Sequence, residues 1–298
     1  ERPPSRYLRG HCGSTDLGEK IEIRLDIPFG ILQVNQVLKL MKMNKRRPLI
    51  LGNWKMNTLP EEGRLVARQI VPMIRDGLHW DLDWGLAVPF THLGALRSEL
   101  EGSGMMGSQD CSAHLQGAYT GEISAGILAA MHCSFALVGH SERRLHHHES
   151  STTCGLKIER LREHGLMSVY CVGETLEQRQ GGSFNEVITS QLMEALGSRI
   201  QDLNHGSLAI AYEPVWAIGT GLTASPQQAN EVHAMIRAWV AQNGGASMAE
   251  QIRILYGGSV NASNAKELLA CADVDGALVG GASLKVRDFA DIVLSSVD

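Results

Sequence analysis

Short apolar runs recur along the chain from residue 48 to its end. They occupy residues 49–51, 85–88, 105–106, 135–138, 168–172, 208–211, 252–255 and 277–279. Most of these runs lack the alternation of apolar and polar residues that marks a strand with one solvated face. Unbroken runs of this kind are typical of strands that are buried on both faces of a parallel sheet. We therefore predict a strand at each run.

The segments between these runs show helical periodicity, and the clearest of them begins at Ser225. Ser225 is suited to cap a helix, Pro226 to occupy its first position and Gln228 to complete a capping box. The apolar residues that follow fall on one helical face, namely Ala229, Val232, Ile236, Trp239 and Val240. The pattern predicts an amphipathic helix that packs against the sheet through this face.

The alternation of strands and helices indicates βαβ units, and therefore an α/β fold with a parallel sheet. About eight such units in roughly 250 residues match the size of a single (βα)8 TIM barrel. The same pattern also fits an open, doubly wound sheet, which remains the alternative at this point. We expect a barrel catalytic domain over residues 48–298, preceded by an N-terminal extension at residues 1–47.

The predicted extension differs in character from the rest of the chain. Residues 21–27 alternate between apolar and charged side chains and predict a short strand, whereas residues 31–41 follow helical spacing. Met41 and Met43 are candidate natural start sites. We expect the extension to be dispensable for chemistry.

Composition narrows the classes of function. The net charge of −5 provides no basic surface for nucleic acid. The six cysteines include no Cys-x-x-Cys pair, so we expect the reduced thiols of a cytoplasmic protein rather than disulfides or a zinc site. No apolar run reaches the ~18 residues that a membrane span needs. The 32 glycines indicate tight turns or a ligand site that is lined by backbone.

Polar and glycine-rich segments follow five of the predicted strands, at the strand ends where barrel enzymes carry their active sites. These segments are residues 52–57, 139–144, 212–221, 256–260 and 280–284. Taken one at a time, their residues would fit ordinary turn and surface positions. Together, in this order and at this spacing, they resemble the signature segments of the triosephosphate isomerase family. The resemblance covers essentially everything from residue 48 to the end.

The resemblance implies an isomerase that interconverts dihydroxyacetone phosphate and D-glyceraldehyde 3-phosphate through an enediolate, in glycolysis and gluconeogenesis. It implies neither a cofactor nor a metal ion. Glu213 would be the general base, because one carboxylate can take a proton from one carbon and deliver it to the next. His140 would serve the substrate oxygens as a neutral imidazole, and Asn53 would hydrogen-bond the substrate. Lys55 would stabilise the phosphate and the developing enolate charge.

The same resemblance implies that backbone N–H groups surround the substrate phosphate. The matching positions are Gly219, Ser259, Gly280 and Gly281, where glycine lets the main chain approach an anion closely. Residues 214–221 resemble a lid with a rigid hinge and a mobile tip, whose closure would exclude water from the reaction.

Three further residues have supporting roles by the same resemblance. Ser141 and Glu142 would open a helix directly after the catalytic histidine, and Glu142 would also support Lys55. Residues 116–122 resemble the dimer loop of the family, whose threonine reaches the active site of the partner subunit. Thr120 is the matching residue. We therefore expect a homodimer.

The sequence departs from the family pattern at three places. Asp110 introduces a negative charge near the expected interface. Residues 146–148 are three consecutive histidines, but we do not expect them to hold a metal ion, because adjacent helical residues point in different directions. Leu222 stands where many family members carry a lysine in the second hinge of the lid, and it leaves no catalytic role vacant.

Two other functions fit part of the pattern. Another phosphate-binding barrel, such as a sugar-phosphate epimerase or lyase, is disfavoured by the combination of Glu213, His140 and Lys55. A barrel that binds or regulates without turnover is disfavoured by the complete catalytic set. A coupled assay with glyceraldehyde 3-phosphate discriminates among the three.

Overall fold

The computed structural model describes residues 46–77, 81–218 and 223–296. Parallel strands close into an eight-stranded barrel in which each strand pairs with the next along the chain and the last pairs with the first. The strands are β1 (Leu49–Asn53), β2 (Asp83–Val88), β3 (Met105–Ser108), β4 (Phe135–Val138), β5 (Met167–Val172), β6 (Leu208–Tyr212), β7 (Arg253–Tyr256) and β8 (Gly276–Val279). The closed barrel confirms the predicted fold and rules out the open, doubly wound sheet.

Helices lie between successive strands, as βαβ units require. The α-helices of the described residues are α1 (Pro60–Gly77), α2 (Leu93–Leu100), α3 (Ala125–Ala130), α4 (Ser141–His147), α5 (Ser151–Glu163), α6 (Leu176–Gln180), α7 (Phe184–Ala195), α8 (Pro226–Gly244), α9 (Ala246–Gln251), α10 (Ala265–Leu269) and α11 (Val286–Ser295). Short 3-10 helices occupy Phe90–His92, Gly197–Asp202, Val215–Ala217 and Gly281–Leu284. Within the described part of the chain, no helix combines the length and the apolar character that crossing a membrane requires.

The strands separate two apolar cores. Alternate residues such as Leu49 and Leu51 point into the barrel and pack with Phe135, whereas Ile50 packs outward with residues of the helices. These three residues of β1, Leu49, Ile50 and Leu51, are fully buried. Because both faces of each strand are covered, the apolar runs in the sequence show no alternation, which is the physical basis of the strand predictions.

Helix α8 has the predicted beginning. Ser225 Oγ accepts from Gln228 N at 3.1 Å, and Gln228 Oε1 accepts from Ser225 N at 2.9 Å, which completes the capping box. The predicted apolar face is buried. That face also contains His233, which the pattern did not single out.

The remaining differences between prediction and structure are local. Strand β7 begins at Arg253, one residue later than predicted, because Ile252 is the C-cap of α9. The strand and the helix predicted at residues 21–27 and 31–41 lie outside the described residues. The predicted boundary between the N-terminal extension and the barrel domain, after residue 47, stays a prediction.

Candidate active site

The end of β1 carries two of the predicted site residues. Asn53 is 4% exposed, and its Oδ1 accepts a hydrogen bond from Lys55 N at 3.0 Å. Lys55 has a φ of 53°, a left-handed conformation that residues other than glycine rarely adopt. Backbone strain of this kind is concentrated at functional sites. Here the amide of Asn53 stabilises the turn that directs Lys55.

Lys55 forms an ion pair with Glu142, the second residue of α4. Its Nζ lies 2.5 Å from Glu142 Oε1, and the lysine side chain is 27% exposed. Burial alone would raise the pKa of Glu142, but the hydrogen bond from Lys55 and the nearby positive charges lower it below its usual value. The pair therefore presents a lysine cation and a carboxylate anion beside Asn53.

His140 follows β4 and caps the N-terminus of α4 with its imidazole. Its Nδ1 accepts a hydrogen bond from Glu142 N at 3.3 Å. An Nδ1 that accepts has no proton, so the neutral ring carries its proton on Nε2. Nε2 lies 3.1 Å from Glu213 Oε1. The ring is thus oriented with its donor toward the centre of the site.

Glu213 follows β6 and is 2% exposed. Its Oε2 accepts from Ser141 N at 2.8 Å, and its own N–H donates to Val172 O at 2.7 Å. Among the described residues, its Oε1 has no hydrogen-bond partner, although His140 Nε2 lies 3.1 Å away. A Cβ at Gly173 would lie 1.7 Å from the backbone oxygen of Glu213, so only glycine fits beside the main chain that carries this carboxylate. One carboxylate oxygen therefore remains available to a ligand.

These groups surround one cavity of about 280 Å³. The lining consists of Asn53, Lys55, His140, Glu213, Ile218, Gly257, Gly258, Ser259, Val260, Leu278, Gly280, Gly281 and Ala282. The lining also includes Ser259 and the two glycines after β8, Gly280 and Gly281. A Cβ at Gly281 would meet nothing within 4 Å, so no neighbouring group crowds this glycine.

The structure brings together most, but not all, of the predicted site residues. Seven of them line the cavity, and two more contact its lining, Ser141 through Glu213 and Glu142 through Lys55. Thr120 is exposed and does not line the cavity of its own chain. Gly219, most of the tip of the predicted lid and Leu222 lie outside the described residues.

Two of the three departures from the family pattern can be examined. Asp110 lies between Lys157 Nζ at 2.6 Å and Arg143 Nη2 at 2.8 Å, so its charge is matched. Burial raises the pKa of Asp110, while Lys157 opposes that shift. His146 and His147 end α4, and His148 is its C-cap with a φ of 52°. Among the described residues, no three groups of His, Cys, Asp or Glu are gathered as a metal ion would require.

Sequence reasoning missed several charged residues behind the site. Lys157 is 5% exposed and pairs with Asp110 and Glu149, although it stands next to apolar residues of α5. Glu174 is fully buried, and its Oε1 accepts from Tyr212 Oη at 3.0 Å and Trp216 Nε1 at 2.9 Å. The only sequence signal for such residues was a charged side chain within an apolar helical face, as at Lys157.

Comparison with known proteins agrees with this geometry. Residues 48–296 match the family described as triosephosphate isomerase. A triosephosphate isomerase of Chlorobium luteolum is 46% identical over 249 residues, which cover 83% of this chain and 98% of the relative. One of Delftia acidovorans is 46% identical over 255 residues, covering 84% and 99%, respectively. One of Nocardia farcinica is 45% identical over 251 residues, covering 83% and 95%. These matches confirm the resemblance: the chain belongs to the triosephosphate isomerase family.

Proposed function

We propose that this chain interconverts dihydroxyacetone phosphate and D-glyceraldehyde 3-phosphate by moving one proton between adjacent carbons, with Glu213 as the base. The observation that carries this proposal is the free Oε1 of Glu213, buried in the cavity and 3.1 Å from His140 Nε2. A carboxylate held through its other oxygen by Ser141 N has one oxygen available for the substrate. That oxygen can reach two neighbouring carbons in turn.

His140, Lys55 and Asn53 stabilise the enediolate in this proposal. The Nε2–H of His140 donates to the substrate oxygens, because Nδ1 is occupied as the acceptor for Glu142 N. The Lys55 ammonium stabilises the negative charge that develops on those oxygens. Asn53 stabilises the strained turn at Lys55 and presents its amide to the substrate.

The phosphate is assigned to the part of the cavity lined by Ser259, Gly280 and Gly281. Lys55 Cε would be 3.7 Å from a Cβ at Gly280, so the lysine and the glycine backbone approach the same space. Gly219 is the fourth proposed contact, on the basis of family resemblance alone. No cofactor or metal ion takes part in the proposed reaction.

A coupled assay with D-glyceraldehyde 3-phosphate tests the function, and deuterium uptake from D2O into the product tests the proton transfer. We expect turnover, with solvent deuterium at the carbon that receives the proton. His140→Gln should slow turnover by roughly 100-fold or more. A chelator should not affect the rate. Absence of turnover, or a loss with chelator that a divalent ion restores, would contradict the proposal.

We further propose that the chain acts as a homodimer. A second cavity of about 690 Å³ adjoins the catalytic one, and Met56 and Phe90 line it. Met56 is 96% exposed and Phe90 38% exposed, while Leu115 and Tyr119 on the loop of Thr120 are 54% and 43% exposed. Exposed apolar side chains beside this cavity and on this loop favour an interface with another copy.

The loop that carries Thr120 is braced within the chain. The rings of His114 and Tyr119 stack at 3.7 Å between centroids, and Ser112 hydrogen-bonds Glu122 across the loop. A preformed loop loses less entropy when it binds. This bracing supports a role for the loop in binding the second copy.

Thr120→Arg tests the dimer by light scattering and kinetics on the same sample. We expect monomers with much lower turnover, because Asn53 and His140 would lose their support from the partner. The matched control is Asn185→Arg on the exposed side of α7. A folded monomer with parental turnover would contradict dimer-dependent catalysis and leave the isomerase activity standing.

Finally, we propose a cytoplasmic location. Cys111, Cys133, Cys154 and Cys171 are buried and form no disulfide, and burial raises the pKa of the Cys154 thiol to about 12. Buried, unreactive thiols outside disulfides fit a reducing compartment. Fractionation of the source cells provides the test, and enrichment with a marker of an oxidising compartment would contradict it.

A further inference from the structure

The main-chain groups of Gly139, the residue before His140, are bound by side chains. Gly139 N donates to Glu149 Oε1 at 3.1 Å, and Gly139 O accepts from Arg144 Nε at 2.8 Å. Gly139 has a φ of 74°, a conformation that favours glycine. The orientation of the backbone that leads into the catalytic histidine therefore depends on two charged side chains.

Arg144 also binds groups outside its own helix. Its Nη1 donates to Ser151 Oγ at 3.0 Å, and its Nη2 donates to Cys171 O at 3.0 Å and to Tyr170 Oη at 3.2 Å. One guanidinium thus connects the end of β4, the first residue of α5 and the end of β5. Its planar array of donors fits this set of acceptors, which a lysine ammonium cannot reproduce.

The contact with Cys171 links this guanidinium to the proposed base. Cys171 precedes Val172, whose carbonyl accepts the N–H of Glu213 at 2.7 Å. Arg144 therefore holds both the segment that carries His140 and the strand that positions Glu213. The separation of 3.1 Å between His140 Nε2 and Glu213 Oε1 depends on these two segments keeping their relative position.

The contact between Gly139 and this guanidinium leaves no room for a side chain at residue 139. A Cβ at Gly139 would lie 2.9 Å from both Arg144 Nη2 and Cys154 Sγ. On the other side of the peptide, Glu149 Oε2 accepts from Arg143 Nε at 2.6 Å and lies 3.2 Å from Lys157 Nζ. Burial alone would raise the pKa of Glu149, but these two cations lower it. Glu149 therefore remains an acceptor for Gly139 N.

We propose that Arg144 is a positioning residue for catalysis, which fixes the Gly139 peptide and thereby holds His140 at its working distance from the substrate and from Glu213. The inference rests on the proposed roles of His140 and Glu213. Arg144 itself does not line the catalytic cavity. Its effect is therefore expected in kcat rather than in KM.

Arg144→Ala and Arg144→Lys provide the first test. We expect kcat to fall by about 100-fold in the alanine variant and by about 10-fold in the lysine variant, because small displacements of a catalytic group have effects of this order. KM should change less than about 3-fold in both. Millimolar guanidinium, well below denaturing concentrations, should restore part of the kcat of the alanine variant. Arg160→Ala, which removes an arginine paired with Glu163 on α5, is the matched control.

A double-variant cycle with His140→Gln decides whether Arg144 acts through His140. In the His140→Gln background, Arg144→Lys should slow turnover by less than about 2-fold, because the imidazole that it positions is already gone. Equal fold-losses in the two backgrounds would overturn the inference. Parental kcat in Arg144→Lys, together with a slow His140→Gln, would overturn it while leaving the proposed function intact. Parental kcat in His140→Gln would instead remove the proposed role of His140, and the inference with it.

Discussion

The two ends of the barrel use equally buried carboxylates in opposite ways. At the amino-terminal face, where the strands begin, the side chain of Asp275 is 2% exposed. Its Oδ1 accepts from Arg46 Nε at 2.5 Å, and its Oδ2 accepts from Arg237 Nη2 at 2.5 Å and from Ile254 N at 2.8 Å. Both oxygens of this carboxylate therefore have hydrogen-bond partners.

At the carboxyl-terminal face, the side chain of Glu213 is also 2% exposed, yet its Oε1 has no hydrogen-bond partner among the described residues. Close by, the backbone of Lys55 is in a left-handed conformation. Unsatisfied buried groups and strained backbone are unfavourable for folding. The comparison teaches that this barrel binds both oxygens of its buried carboxylate at one end and leaves one oxygen of the proposed base without a hydrogen bond at the other.

The comparison predicts that Glu213→Gln abolishes activity without a loss of stability. We expect kcat to fall by roughly 1,000-fold or more, because an amide cannot accept the proton. The midpoint of thermal unfolding should stay the same or rise, because a buried carboxylate with an unpaired oxygen is removed. Coupled kinetics measure kcat, and a thermal melt measures the unfolding midpoint. A rate within a few-fold of the parent, or a markedly lower melting point, would contradict the proposed difference between the two carboxylates.

Asp275→Asn should have the opposite effect. It leaves Arg46 without its carboxylate partner and removes one of the two carboxylates that pair with Arg237, the other being Asp273. The breaking of such a buried pair costs about 3 kcal/mol or more of unfolding free energy. The kcat of the folded protein should not change. Urea unfolding and kinetics provide the measurement. Asp291→Asn, which breaks an exposed pair with Arg287, is the control and should cost less than about 1 kcal/mol. Equal losses in both variants would mean that burial of the pair is irrelevant.

The sequence made the barrel and the catalytic end predictable for physical reasons. Strands buried on both faces leave unbroken apolar runs, and the groups that contact a ligand lie on short segments directly after them. Asn53, His140 and Glu213 were therefore found where the strands end.

The residues that support the site were not predictable in this way. Arg144 contacts Cys171, and Asp110 pairs with Lys157 across 47 positions of the chain. Packing in three dimensions determines which residues become partners. Local periodicity of the sequence carries no information about that packing. Asp110 was recognised only as an added charge, because its two cationic partners become neighbours only in the folded barrel.

A third prediction concerns the layer between the two faces, where His233 of α8 is fully buried. Burial lowers its pKa from 6.5 to about 3. As pH falls below 6.5, the unfolded chain binds a proton that the folded protein excludes until about pH 3, so stability decreases with decreasing pH. This one group contributes about 1.4 kcal/mol per pH unit over that window.

His233→Gln removes one group that binds a proton only in the unfolded chain. The slope of stability against pH should therefore fall by about 1.4 kcal/mol per pH unit, and kcat at neutral pH should not change. Urea unfolding at several pH values measures the slope, and His205→Gln, which removes an exposed histidine, is the matched control. An unchanged slope in His233→Gln would show that other groups determine the acid sensitivity of this layer.

The smallest expected effect concerns the first residues of the chain that stabilise the amino-terminal face. Arg46 binds Asp275 and also donates from Nη2 to Ala272 O at 2.8 Å, and Arg47 Nη2 lies 3.0 Å from Asp83 Oδ1. A chain that begins at Met43 keeps both arginines and should match the parent in kcat and melting point. A chain that begins at Pro48 loses them.

The shorter chain should keep its kcat, because the proposed catalytic groups begin only at Asn53. Its unfolding free energy should fall by about 1 kcal/mol, because Arg237 still pairs with Asp275 and the Arg47 side chain is half exposed. Arg46→Ala in the longer chain should account for most of that loss. If the chain that begins at Met43 were itself inactive but folded, residues 1–42 would contribute to the site. If the two truncated chains were equally stable, the ion pair between Arg46 and Asp275 would not stabilise the amino-terminal face, and Arg237 alone would suffice to hold Asp275.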